Sequence, residues 1–182
     1  LYSQELLALA ESLAPVNKLL AVPWVSQLGD GANYAPGDCG AACLASWLLY
    51  LGHEGVTVDL VSANVGLAPG YRYTMPAHII RAAIALGENL YWRRGLSLDD
   101  LRAEIDRGQP VIILVHYDYL PEKYDPTYKK GHWLTVIGYS ADGFTYLDPY
   151  WPSDGRRAIS IDDFLKAWSN NHLDGNSDRQ AL

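Results

Sequence analysis

The sequence has few cysteines, no basic excess, no long apolar run and no stretch of low complexity. Two cysteines in 182 residues cannot found a disulfide scaffold. A formal charge of −7 and a pI near 5.1 exclude the broad basic surface that attracts nucleic acid. They also speak against a polybasic membrane contact. No apolar run reaches the roughly 20 residues of a membrane-spanning helix, so no membrane segment is expected in this chain. The start, "LYSQELLALAESLAP", lacks the basic residues and small-residue cleavage site of a secretory signal. No Pro/Ser-rich linker and no internal repeat divides the chain, so one domain is expected. The first residue is Leu rather than Met, which suits a processed form or a piece of a larger protein.

What is present is apolar and aromatic. The chain is 49% hydrophobic, enough to bury a sizeable core, and carries 6 Trp and 13 Tyr. That aromatic content suits a secreted or cell-surface protein that handles polymers.

Periodicity predicts an amphipathic helix over 3–13, with Leu6, Leu9, Ala10 and Leu13 on one face. "LLAVPWVSQ" reads as short and extended, and Leu28 to Gly37 as a loop. Asp38 has the chemistry of an N-cap and Gly52 that of a C-cap around a helix over 39–51. That helix carries no charge, which places it centrally in the fold. Further helices are expected near 57–65 and 76–86, and from a Ser97/Asp100 capping box to Gly108. Beyond Gly108 the period changes. "PVIILVHYDYL", "HWLTVIGYS", "FTYLDPY" and "RRAISI" read as strands, and "IDDFLKAW" as a closing helix. Helices first and strands second define an α+β domain with a cleft between its halves.

Within this frame Cys39 opens the apolar helix, where unpaired backbone N–H groups favour a thiolate. His132 begins a strand after Gly131, and Asp148 ends the next, 16 positions later. Antiparallel pairing of those strands brings the two together, so that the carboxylate can fix the imidazole tautomer. A nucleophile, a base and an orienting acid form the set that thiol acyl transfer needs. Gln27 is the candidate side-chain donor to an oxyanion.

These residues, in this order, resemble the papain-like cysteine peptidases, and more closely the double-glycine leader peptidases of bacteriocin export and their broader relatives. The resemblance rests on "VPWVSQ", "DCGAACL", "GHWLTVIGY" and "LDP", and spans residues 22–150. "LGDGANYAPGD" separates Gln27 from Cys39 by more than in the bacteriocin-processing members, which favours the broader relatives. The resemblance implies a helical half carrying the nucleophile helix packed against an antiparallel sheet. It implies an N-terminal helix and connector over 1–21 and a peptidase domain over 22–182. It also implies thiol-dependent hydrolysis of a peptide or protein substrate by Cys39, His132, Asp148 and Gln27, with no cofactor and no metal.

Other readings stand beside this one. The same triad serves amidases and acyltransferases acting on non-protein amides, and an inactive relative would be a binding module. Cys43, one turn into the apolar helix, reads as core. His116 reads as a hydrogen-bonded core or sheet residue, and His53, His78 and His172 as surface or helix residues. No second cysteine pair completes a zinc site with Cys39 and Cys43. The tail from Asp174 starts like a calcium loop but has Arg179 where that loop needs glycine. "LGDGANYAPG" lacks the Gly-Lys-Ser/Thr ending of a phosphate loop.

Overall fold

The computed structural model describes residues 18–28, 37–67, 73–169 and 179–182. The expected helix over 3–13, most of the loop after Leu28, His172 and the acidic tail from Asp174 lie outside the described residues.

Among these residues there are five α-helices and seven strands. The helices are α1 (Cys39–Tyr50), α2 (Val58–Val65), α3 (Pro76–Ala85), α4 (Leu98–Asp106) and α5 (Ile161–Ser169). The strands are β1 (Lys18–Leu19), β2 (Arg93–Arg94), β3 (Val111–His116), β4 (Gly131–Tyr139), β5 (Gly143–Leu147), β6 (Arg156–Ser160) and β7 (Gln180–Ala181). The class is α+β. One antiparallel sheet runs in the order β2-β7-β3-β4-β5-β6, and β1 pairs with the far end of β4.

Local chemistry accounts for most of the helix starts. Thr57 caps α2 by accepting the Leu60 N–H at 3.1 Å. Pro76 occupies the first turn of α3, where a missing N–H costs nothing. Ser97 accepts from Asp100 N at 3.1 Å and Asp100 returns the bond to Ser97 N at 2.7 Å, a reciprocal box that starts α4. Asp38 departs from expectation. It precedes α1, yet its side chain makes no capping bond. Its Oδ1 instead accepts from Ser62 Oγ of α2 at 3.3 Å, because this buried carboxylate meets a neighbouring helix before it meets its own amides. Helix α1 ends at Tyr50, with Gly52 at φ +94° just past it.

The sheet is covered on both faces, so the helices do not all lie on the nucleophile side. Val111, Ile113 and Val115 pack with Leu101 and Ile105 of α4 and Phe164 and Trp168 of α5. The alternate residues Ile112 and Leu114, with Trp133, pack with Leu44 and Leu48 of α1 and Ile79 of α3. A strand with period-two side chains and two buried faces reads as one continuous apolar run. Truncating a fully buried leucine such as Leu48 to alanine should cost about 2–5 kcal/mol.

A candidate thiol active site

Cys39 is the first residue of α1, so its thiol stands beside amides that the helix itself leaves unpaired. It is buried but borders a cleft of about 90 Å³ whose other walls are Gln27, Gly37, Tyr73, Tyr128, His132 and Tyr150. Its Sγ lies 4.0 Å from the Gly37 carbonyl oxygen.

His132 is the second residue of β4 and lies opposite Val115 of β3. On the other side of β4, Thr135 pairs with Leu147. The chain leaving β5 therefore passes the histidine, and His132 Nε2 meets Asp148 Oδ1 at 2.7 Å. With Nε2 given to Asp148, Nδ1 is the ring nitrogen left for Cys39, which lines the same cleft. Burial alone would push the imidazolium pKa down. The Asp148 charge and hydrogen bond, then the bond to Cys39, overcome it and raise the value to about 10.

The carboxylate is itself held. Asp148 Oδ1 also accepts from Tyr150 N at 2.9 Å, and Asp148 N donates to the Gly155 oxygen at 2.8 Å. The Asp148 carbonyl accepts the indole N–H of Trp24 at 3.1 Å. A side chain on Gly155 would collide with both Trp24 Nε1 and that carbonyl, so glycine leaves the space the clasp needs. Tyrosine rings complete the enclosure around His132. Tyr117 stands edge-on at 4.8 Å between ring centroids, with Tyr150 at 6.0 Å and Tyr128 at 6.5 Å.

Gln27 reaches the same cleft from the segment before α1. Its backbone N–H donates to the Pro149 oxygen at 2.8 Å, and Ser26 Oγ donates to the Trp151 oxygen at 2.8 Å. The segment 24–27 is thus tied to the loop that follows Asp148. Cys39, His132, Asp148 and Gln27 come together from four separated parts of the chain. Trp24, Ser26, Gly155 and the tyrosines were not singled out from sequence. Trp24 and Ser26 lie inside "VPWVSQ", but nothing local shows that they bind carbonyls more than 120 positions away.

The remaining candidates are elsewhere. Cys43 is buried and free, and burial pushes its thiol well above the ordinary range. His53 pairs with Glu88 at 2.8 Å, and His78 Nδ1 accepts from Met75 N at 3.1 Å. His116 ends β3 with its ring 5.0 Å from that of Tyr119. A roomier cavity of about 370 Å³ between α4 and β7 has neither cysteine nor histidine in its lining.

In this α+β domain a helix-borne cysteine shares a cleft with a strand-borne histidine, and an aspartate just past the next strand bonds that histidine. The sequence profile of the Peptidase_C39 like family matches residues 19–173, most of the chain, and the chain belongs to that peptidase family. No curated protein matches it. Among solved structures, a protein described as a C39-like peptidase from Bacillus anthracis superposes with a TM-score of 0.64 at 20% identity, over 91% of this chain and 96% of that one. A double glycine motif protease from an AMS/PCAT transporter, in complex with its leader peptide, gives 0.58 at 18% identity, over 90% and 91%. The peptidase domain of Streptococcus ComA, a bi-functional ABC transporter involved in quorum sensing, gives 0.56 at 21% identity, over 90% and 94%. These likenesses define the fold. No helix among the described residues is long and apolar enough to cross a membrane.

Proposed function

We propose that this chain hydrolyses peptide bonds by thiol chemistry. The Cys39 thiolate attacks the substrate carbonyl carbon, forming a C–S bond while the π pair moves to oxygen. The Gln27 amide and the Cys39 backbone N–H hold that oxyanion. His132 gives its Nδ1 proton to the leaving amine as the C–N bond breaks. Water then attacks the thioester, His132 accepts the proton, and the thiolate departs. Asp148 keeps the Nε2–H in place throughout and favours the imidazolium.

One observation carries this reading. The 2.7 Å bond from His132 Nε2 to Asp148 leaves Nδ1 as the ring nitrogen available to Cys39, in a cleft that Cys39, His132 and Gln27 all line. The double glycine motif protease of similar fold is described in complex with a leader peptide, and in this reading an extended peptide segment lies across the Cys39 cleft. A substrate of that kind, and a place within a larger protein, belong to this proposal.

The test is cleavage of an extended peptide library by wild-type protein, Cys39→Ala and His132→Ala, with and without EDTA. Wild type should cleave, neither variant should, and the chelator should change nothing. Cleavage that survives Cys39→Ala, or that EDTA abolishes, overturns the proposal. Turnover of non-peptide amides alone would move the protein to the amidases or acyltransferases. Labelling of Cys39 without any turnover would make it a binding module.

A further inference from the structure

Nucleophile and base stand on different layers of the fold, and a single residue touches the chain neighbours of both. Gly40, next to Cys39, packs against Thr74. A methyl group built on Gly40 would run into Thr74 Oγ1, with Thr74 Cβ at 3.0 Å and Ile79 Cδ1 at 2.9 Å. Trp133, next to His132, donates its indole N–H to the Thr74 carbonyl oxygen at 2.9 Å. Both Thr74 and Trp133 are buried. We propose that Thr74 is a positioning residue that sets the separation of Cys39 and His132, through side-chain contact on Gly40 and a carbonyl bond to Trp133. This rests on the thiol-peptidase reading of the site.

The two contacts differ in kind, which is why together they define a distance. The indole is rigid, and β4 cannot slide along the strap at Thr74 without leaving a buried carbonyl unpaired. On the other side, the bare Cα of Gly40 lets α1 approach until it meets the threonine side chain. That contact is steric. Thr74 Oγ1 has no hydrogen-bond partner among the described residues, so the volume of the side chain, rather than its hydroxyl, acts on Gly40. Proton transfer between sulfur and nitrogen is sensitive to such spacing, since a displacement of about 1 Å can cost on the order of 10²-fold in rate.

The experiment measures Cys39 alkylation by iodoacetamide against pH, together with kcat and KM, in Thr74→Ala, Thr74→Val, Gly40→Ala, Trp133→Phe and the Gly40→Ala/Thr74→Ala double variant. Thr74→Ala, Gly40→Ala and Trp133→Phe should each slow alkylation near neutral pH and lower kcat by roughly tenfold to a hundredfold, with KM little changed. Thr74→Val keeps the volume and should behave as wild type. In the double variant the new methyl fills the vacated space, so activity should recover above either single variant. Wild-type rates in Thr74→Ala, or additive losses in the double variant, overturn the proposal. Should Gly40→Ala fail to fold, the Thr74 and Trp133 variants decide alone. Alkylation needs no substrate, so the two proposals can fail separately. A chain that alkylates as expected but cleaves no peptide sinks only the peptidase reading, and a cleaving chain indifferent to Thr74 sinks only this one.

Discussion

His132 Nε2 stands 2.7 Å from Asp148 Oδ1, and neither side chain is more than 2% exposed. A buried imidazole without that carboxylate would lose its charge, and here it keeps it with a pKa of about 10 against an ordinary 6.5. The folded protein therefore holds this proton more tightly than the unfolded chain does. The resulting stabilisation is complete below about pH 6.5 and is lost as the pH rises through about 10. The alkaline limb of kcat/KM should accordingly lie near pH 10. Asp148→Asn removes the charge but can still accept the Nε2–H, so it should lose activity in part and bring that limb to lower pH. The rise of Cys39 alkylation with pH should move the other way, upwards. Asp148→Ala should lose far more, because the ring then has no acceptor. A pH–rate profile unchanged in Asp148→Asn would mean that the carboxylate only positions the ring.

The two cysteines should react in a fixed order. Cys39 borders the cleft, while Cys43 is enclosed in the core with its thiol held protonated by burial. Limited treatment with iodoacetamide at neutral pH, read by peptide mass, should label Cys39 first. Faster labelling of Cys43 would contradict the arrangement described.

Gln27→Ala should leave Cys39 alkylation intact but lower kcat by about 10²–10³ with KM little altered, as loss of one oxyanion donor does. An unchanged kcat would assign the oxyanion to other donors.

The clasp on Asp148 can be tested in two steps. Trp24→Phe removes one half-buried hydrogen bond and should cost about 1 kcal/mol of stability in urea unfolding. Gly155→Ala forces a methyl against Trp24 and the Asp148 carbonyl. It should lower kcat as well as stability, because the carboxylate must move. Full activity in Gly155→Ala would show that the loop adapts without disturbing the site.

Much of this fold can be read locally. Ser97 and Asp100 announce α4, Thr57 and Gly66 bracket α2, and the apolar run from Val111 announces β3. The two-residue strands β1, β2 and β7 escape notice because they have no pattern of their own. Their pairing is decided by edges offered elsewhere in the sheet. Asp38 misleads because local chemistry favours a cap, while Ser62, 24 positions away, offers another partner. In the site, Cys39, His132 and Asp148 stand out by residue type and by their place at element ends. Thr74 and Trp24 do not, since one acts partly, and the other wholly, through backbone carbonyls. Such links leave no trace in residue identity.

The bond from Trp24 to Asp148 spans 124 positions and that from Ser26 to Trp151 spans 125. Cys39 therefore leaves the ribosome long before His132 and Asp148, and contacts of such sequence separation are slow to form. Until β5 and its following loop have emerged, His132 lacks its Asp148 partner and Gln27 lacks the Pro149 carbonyl to which its N–H donates. Under the proposed mechanism the thiol is then armed only once nearly all of this segment has been synthesised. A chain halted after Leu147 should alkylate at Cys39 no faster than an unfolded cysteine peptide, and acceleration should appear only once the residues through Gly155 are added.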